Sequence, residues 1–323
     1  MHMANGTLLV GEPMGLFIAQ QEGAFQDVES YLLCNCGAEF NVAVGLARLQ
    51  HKVGYFTKLG DDPFAKKIVK MMNQEKINTD LIQYSDEHPT GFMLKGKVSS
   101  GNPHIFYFRK NSAASTLCGD DIEKLDFSAY DAIHMTGITP ALSNATKEAT
   151  ERLLNKAKQH HMLFSFDPNL RPQLWPDTES MCSYINNLAS KCDIFFPGVE
   201  EAHVLIGTTD AEKIAKTYMD AGAKAVVVKL GAQGAYYATA QDSGYVAGYP
   251  VEKVIDTVGA GDGFAVGVLS ALKENLSMKE AVRRGNAIGA IQVMSVGDND
   301  GLPTREELQA FMAGEKMWRK GNG

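Results

Sequence analysis

No stretch of this sequence approaches the ~20 apolar residues of a membrane span. The apolar opening "TLLVGEPMGLFIA" (7–19) is interrupted by Glu12 and Pro13 and has no basic segment before it, so we expect neither an anchor nor a signal peptide. There is no basic excess: 31 Lys and Arg stand against 38 Asp and Glu, a net charge of −7, which argues against a nucleic-acid partner. A small anionic ligand stays open, because it needs only a local cluster of cations. Cysteine is scarce and irregular. Cys34, Cys36, Cys118, Cys182 and Cys192 make an odd set without paired metal-ligand spacing, and read as reduced, mostly buried thiols of a cytoplasmic protein. No fixed-period repeat and no low-complexity segment is visible.

What is present is alternation. Apolar strand-like runs at 7–12, 53–60, 132–137, 163–169, 193–198 and 225–231 are separated by helical patterns such as 38–50 and 62–75. With 323 residues, 45% of them hydrophobic, this predicts an α/β chain with a mostly parallel sheet covered on both faces. Binding sites in such sheets lie at the carboxyl ends of the strands, here "GE", "TG", "FDPN", "PG" and "KLG". Residues 13–36 and 90–110 break the rhythm. "TGFMLKGKV" and "PHIFYFRK" predict an antiparallel hairpin turning at 99–102, either a β-lid over the site or an ordinary extension of the sheet.

Several patterns compete for chemistry. Gly91 to Lys97 has phosphate-loop spacing, but Val98 stands where Ser or Thr is required and the filler is strand-like, so we read it as a strand. His134, before "MTG", has no partner in its neighbourhood and does not read as a ligand; His160-His161 reads as a solvated helix end. "DTVGAGDGF" (256–264) is different. An apolar helical pattern starts near Ala260, so the free first-turn N–H groups would form an anion site. Gly259 and Gly261 let an anion approach the backbone, and Asp262 beside it suits a base taking a hydroxyl proton during phosphoryl transfer. A capped helix after a Gly-rich turn has the same local look. "CGAEFN" (36–41) puts Asn41 on a first helical turn, where it can bind sugar hydroxyls or simply start a helix. Arg109 and Arg171, near strand ends, carry the fork that matches carboxylate or phosphate.

Gly37–Asn41, "TKLGDDPF" (57–64) and "DTVGAGDGF", in that order, resemble the ribokinase-like carbohydrate kinases, the phosphofructokinase-B family, over about residues 8–312. Within that family "GEPMGLF", "PTGFMLKGKV", "YFRKNSAAS", "FDPNLRPQLWP", "FFPGVEEA", "RRGNAIGA" and "GDNDGLPTREEL" resemble the 2-dehydro-3-deoxygluconate kinases. The resemblance implies a single domain over 1–323, a three-layer α/β/α fold, and a β-sheet lid from about 13–36 and 90–110 that serves in homo-oligomer contacts. It implies ATP as co-substrate, Mg²⁺, and phosphorylation of the 6-hydroxyl of a sugar acid. A fructokinase or other neutral-sugar kinase is the alternative, and a non-catalytic sugar sensor the more distant one.

By the same resemblance, Gly37, Ala38, Glu39, Asn41, Tyr107, Arg109, Arg171 and Asp298 would bind the sugar, with Arg109 near its carboxylate end. Asn169, Arg171, Lys229, Gly231, Gly234, Gly259, Gly261 and Asn286 would lie along the nucleotide. Gly259, Ala260 and Gly261 would form the anion hole and Asp262 the base. Two departures stand out: Gly198 replaces an Asn of the family's metal segment, leaving Glu201 to order Mg²⁺-bound water, and Met93 stands where some sugar-acid kinases carry Tyr.

Overall fold

The computed structural model describes residues 5–98, 103–295 and 297–315. Eight strands form the central sheet: β1 (Gly6–Val10), β4 (Val53–Phe56), β9 (Tyr130–Thr136), β10 (Leu163–Asp167), β11 (Ile194–Phe195), β12 (Ala225–Lys229), β13 (Gly234–Thr239) and β14 (Ser243–Ala247). Their order is β14-β13-β12-β11-β10-β9-β1-β4. All neighbours run parallel except β12–β13 and β13–β14. The chain leaves β1 toward β4 on one side and returns to β9 on the other, so the order reverses beside β1. That reversal opens a crevice at the strands' carboxyl ends.

Alternate residues on the strands face opposite layers. Leu9, Tyr55 and Val227 pack with α1 (Ala38–Arg48), α2 (Pro63–Gln74), α8 (Ala260–Lys273), α9 (Met278–Gln292) and α10 (Arg305–Met312). Leu8, Val10, Val226 and Val228 face α3 (Gly119–Glu123), α4 (Asn144–Gln159), α5 (Thr178–Ala189), α6 (Val199–Ile206) and α7 (Ala211–Ala221). Several helices start where the sequence supplies caps, whereas α1 and α8 start after Gly37 and Gly259 without a side-chain cap. Asp62 accepts the Ala65 N–H ahead of Pro63, and Ser277 with Glu280 closes a capping box. α8 and α9 cross at two glycines: a Cβ on Gly267 would lie 2.5 Å from the Gly285 Cα.

The second sheet is the lid. Its order is β3-β2-β7-β8, from β2 (Met14–Glu22), β3 (Tyr31–Cys36), β7 (Phe92–Lys97) and β8 (Ile105–Phe108). β7 and β8 pair antiparallel, as their hairpin pattern predicts, with Met93 opposite Tyr107; the expected turn at 99–102 lies outside the described residues. The phosphate-loop look-alike is β7, hydrogen-bonded on both sides. One expectation is corrected. The single strand over 53–60 is two, because β4 pairs with β1 while β5 (Lys58–Gly60) pairs with β6 (Gln83–Ser85) in a small separate sheet.

Candidate active site

A cavity of about 570 Å³ opens at the crevice, between the sheet's carboxyl ends, the N-terminus of α8 and the inner face of the lid. It gathers Gly37, Ala38, Glu39, Asn41, Tyr107, Arg109, Asn169, Arg171, Glu201, Lys229, Gly259, Gly261, Asp262 and Asp298, segments far apart in the chain. Gly231, Gly234, Ala260 and Asn286 are not among its lining residues. Gly231 and Gly234 flank the turn from β12 into β13. The Asn286 amide is turned to the sheet edge, donating to the carbonyls of Val246 (3.0 Å) and Ala247 (3.1 Å).

Asp262 lies in the first turn of α8, buried, and Asn41 donates to its Oδ2 at 2.7 Å. Asn41 is itself held by the Asn299 amide at 3.2 Å. Burial raises the Asp262 carboxyl to about 8; the Asn41 hydrogen bond and Lys229 pull against that, and the carboxylates of Asp167 and Glu39 add to it. A carboxyl poised there takes up a proton readily near neutrality, which an ordinary aspartate does not. First-turn amides have no intrahelical acceptor, so an anion at this end of α8 meets free N–H groups and the positive dipole end.

The turn before α8 depends on glycine. Gly259 has φ +78°, and a Cβ on it would lie 2.3 Å from the Asp298 carbonyl oxygen. Gly259→Ala therefore displaces the start of α8. We expect turnover to drop by at least tenfold, with a lower melting temperature, in steady-state assays and a thermal melt. Unchanged turnover would show that this turn tolerates the shift.

Lys229 ends β12. Its ammonium is 2.6 Å from Asp167 Oδ2 and 3.8 Å from Glu201 Oε2. Burial alone would lower this lysine, but the two carboxylates outweigh it and raise it, so the group stays charged beside Gly261. Both Glu201 oxygens are engaged: Oε2 accepts the Gly198 N–H (2.8 Å) and Oε1 the Leu170 N–H (3.1 Å). No group of three or more His, Cys, Asp or Glu that could cage a metal occurs among the described residues. The oxygens of Asp167 and Glu201 suit a hard cation that keeps its own water and rides on phosphates, as Mg²⁺ does.

Beneath the lid, Arg109 follows β8 and is buried. It donates from Nε to Glu12 Oε2 at 2.8 Å, pairs with the same oxygen through a second nitrogen, and lies over the Tyr107 ring at 5.5 Å. Ser112 donates to the other Glu12 oxygen. Glu39 is spent differently. Its Oε1 accepts from the Thr136 N–H (3.0 Å) and from the hydroxyls of Thr136 (2.7 Å) and Thr139 (3.1 Å). Burial raises its carboxyl above the ordinary range. It ties α1 to the end of β9 at the cavity wall. Arg171 donates to the carbonyls of Leu170 (2.9 Å) and Asn169 (3.4 Å).

The pfkB family carbohydrate kinase profile matches residues 8–305. The chain belongs to that family. It is 45% identical over 314 residues to the 2-dehydro-3-deoxygluconokinase of Bacillus subtilis (strain 168), covering 97% of each chain. The solved PfkB protein from Polaromonas sp. JS666 is 42% identical, with a TM-score of 0.86 over 94% of this chain and 99% of that one. Fructokinase from Vibrio cholerae O395, solved in a fructose, ADP and calcium ion bound form, is 28% identical with a TM-score of 0.84 over 96% and 99%.

Membership of the family agrees with the three-layer fold and the lid expected from sequence. Sequence reasoning missed Glu12, Asp167, Lys95 and Asp256 in and around the site. Glu12 and Asp167 each stand at a strand's carboxyl end, in "GE" and "FDPN", so the strand-end rule could have flagged them. Lys95 shares the inward face of β7 with Met93, visible as a charge inside an apolar alternation. His134 is buried: its Nδ1 is 2.9 Å from the Ser165 hydroxyl, and burial lowers it to about 3.

Proposed function

We propose that this chain transfers the γ-phosphoryl group of ATP to the 6-hydroxyl of 2-dehydro-3-deoxy-D-gluconate, giving 2-dehydro-3-deoxy-6-phosphogluconate and ADP. The observation that carries the reaction type is a buried Asp262, oriented by Asn41, at a helix N-terminus that opens on the cavity. The substrate rests on the 45% identity to the B. subtilis kinase, and Arg109 and Arg171 in the same cavity supply charge for a sugar acid.

In this reading Asp262 takes the proton of the 6-hydroxyl as its oxygen bonds to the γ-phosphorus and the bond to the β-phosphate oxygen breaks. The transition state is loose, so the proton can leave late and positioning matters most. The α8 amides and Lys229 face the charge carried by the transferring group. Mg²⁺ on the phosphates would neutralise part of that charge, and Asp167 and Glu201 are the residues that would hold its water shell. Arg109, fixed by Glu12, would receive the sugar's carboxylate.

A panel of 2-dehydro-3-deoxygluconate, its galacto epimer, fructose and ribose, each with ATP and Mg²⁺, tests this by comparing kcat/KM. A preference for fructose would replace the sugar-acid reading with that of a neutral-sugar kinase. Sugar binding without ATP turnover would point to a sensor.

The lid also supports a homo-oligomer. Its inner face packs Met14, Leu16, Ile18 and Met93 above the site, while its outer face leaves Phe106 and Phe108 55% and 46% exposed beside the stacked ring of Phe92. Monomeric proteins seldom leave such aromatics together in water. A second copy of this chain covering that face would bury them. Phe106→Asp is expected to halve the sedimenting mass of the parent. A parent already monomeric at micromolar concentration would end the proposal. No helix among the described residues is long and apolar enough to cross a membrane.

A further inference from the structure

Lys95 carries a charge onto the apolar inner face of the lid, where its side chain is 5% exposed. Its ammonium is 2.6 Å from Asp256 Oδ2 and 3.5 Å from Asp298 Oδ1. It is not among the residues lining the cavity. Both carboxylates belong to the loops that shape the anion hole. Asp256 Oδ1 accepts the Val258 N–H at 3.0 Å, which sets the turn leading into Gly259. The Asp298 carbonyl lies against Gly259 so closely that a Cβ there would be 2.3 Å away. The Asp298 Oδ1 atom is buried and makes no hydrogen bond among the described residues. Without the ammonium, the charges of Asp256 and Asp298 would face each other across a desolvated gap and push the two loops apart.

We propose that Lys95 is a positioning residue: the lid delivers a cation that clamps the 256–259 and 297–299 loops together, and so holds the anion hole in shape from the sugar side. Shape at this point is worth much, because displacement of a reacting group by about 1 Å can cost about 10²-fold in rate. The proposal rests on the sugar-kinase reading above. Activity of the parent on the same sugar separates the two: an inactive parent sinks that reading, and an active parent with an unaffected variant sinks only this one.

The test is steady-state kinetics of the full chain with ATP, Mg²⁺ and 2-dehydro-3-deoxygluconate. Lys95→Met is expected to lower kcat by about 30–300-fold while the sugar KM stays within about threefold. Lys95→Arg, which keeps the charge, is expected to recover most of the loss. Adding Asp256→Asn to Lys95→Met removes one of the facing charges, so the double variant should be no slower than Lys95→Met alone. A kcat within about threefold of the parent, a change confined to sugar KM, or independent losses that multiply in the double variant would each overturn the proposal. Should Lys95→Met not fold, Asp256→Asn carries the test. It removes the shorter of the two ion contacts, and an unchanged kcat would overturn the clamp.

Discussion

Asp262→Asn is expected to lower kcat by about 10²–10⁴-fold and, at the same time, to raise the melting temperature. The first effect follows from the loss of the carboxylate that Asn41 holds in the first turn of α8, the proposed proton acceptor. Asn fills the same space, so ATP affinity measured by calorimetry should stay within a few-fold. The second effect follows from linkage. The folded state raises this carboxyl from its ordinary 3.8 to about 8. Between those values unfolding releases a proton, so the folded state loses stability as pH rises through the window. Asn carries no such charge. Its advantage should therefore be small near pH 4 and grow until about pH 8, worth about 1.5 °C for each kcal/mol relieved. The parent's kcat/KM should rise over the same range, because only the deprotonated carboxylate accepts the hydroxyl proton. A flat pH profile together with an unchanged melting temperature would remove Asp262 from the role of buried base.

The second large effect is expected at Arg109, where one substitution disturbs two things. Arg109→Ala removes the guanidinium proposed to meet the sugar carboxylate, a charge-assisted contact worth about 1.5–3 kcal/mol, or roughly 10–100-fold in kcat/KM. It also strands Glu12, a carboxylate 1% exposed, without its ion partner. Breaking a buried pair from one side costs about 3–5 kcal/mol. The single variant should thus lose both stability and activity on the sugar acid. Glu12→Gln with Arg109→Met separates them. Ser112 can still donate to the amide oxygen, no charge is stranded, and the melting temperature should return most of the way. The preference for 2-dehydro-3-deoxygluconate over fructose should not return. If Arg109→Ala lowers kcat/KM equally for the acid and the neutral sugar, Arg109 serves the fold through Glu12 and the carboxylate is recognised elsewhere.

The two variants also show why function here resists residue-by-residue assignment. Glu39 and Arg109 both line the cavity, yet each spends hydrogen-bonding capacity inside the protein, on Thr136 and Thr139 in one case and on Glu12 in the other. Asn286 spends its amide on a strand edge.

How much of this was legible beforehand depends on distance along the chain. The strand–helix alternation, the start of α8 at Ala260, the glycine turn and the placing of Asp262 in a first helical turn follow from contiguous residues. Periodicity, backbone freedom and the helix dipole are local properties, so the sequence by itself determined the fold class and the glycine-flanked helix start at Ala260. The two inserted β segments were legible as strands too, though not the parallel pairing of β2 with β7 that joins them into one lid. What only the tertiary structure decided is which charges meet. Asn41 reaches Asp262 across 221 positions, Lys95 reaches Asp256 across 161, and Arg109 reaches Glu12 across 97. No local pattern encodes those encounters. They arise because the sheet reverses its order beside β1 and the lid folds back over that point, and a buried charge is tolerated only where packing brings it a partner.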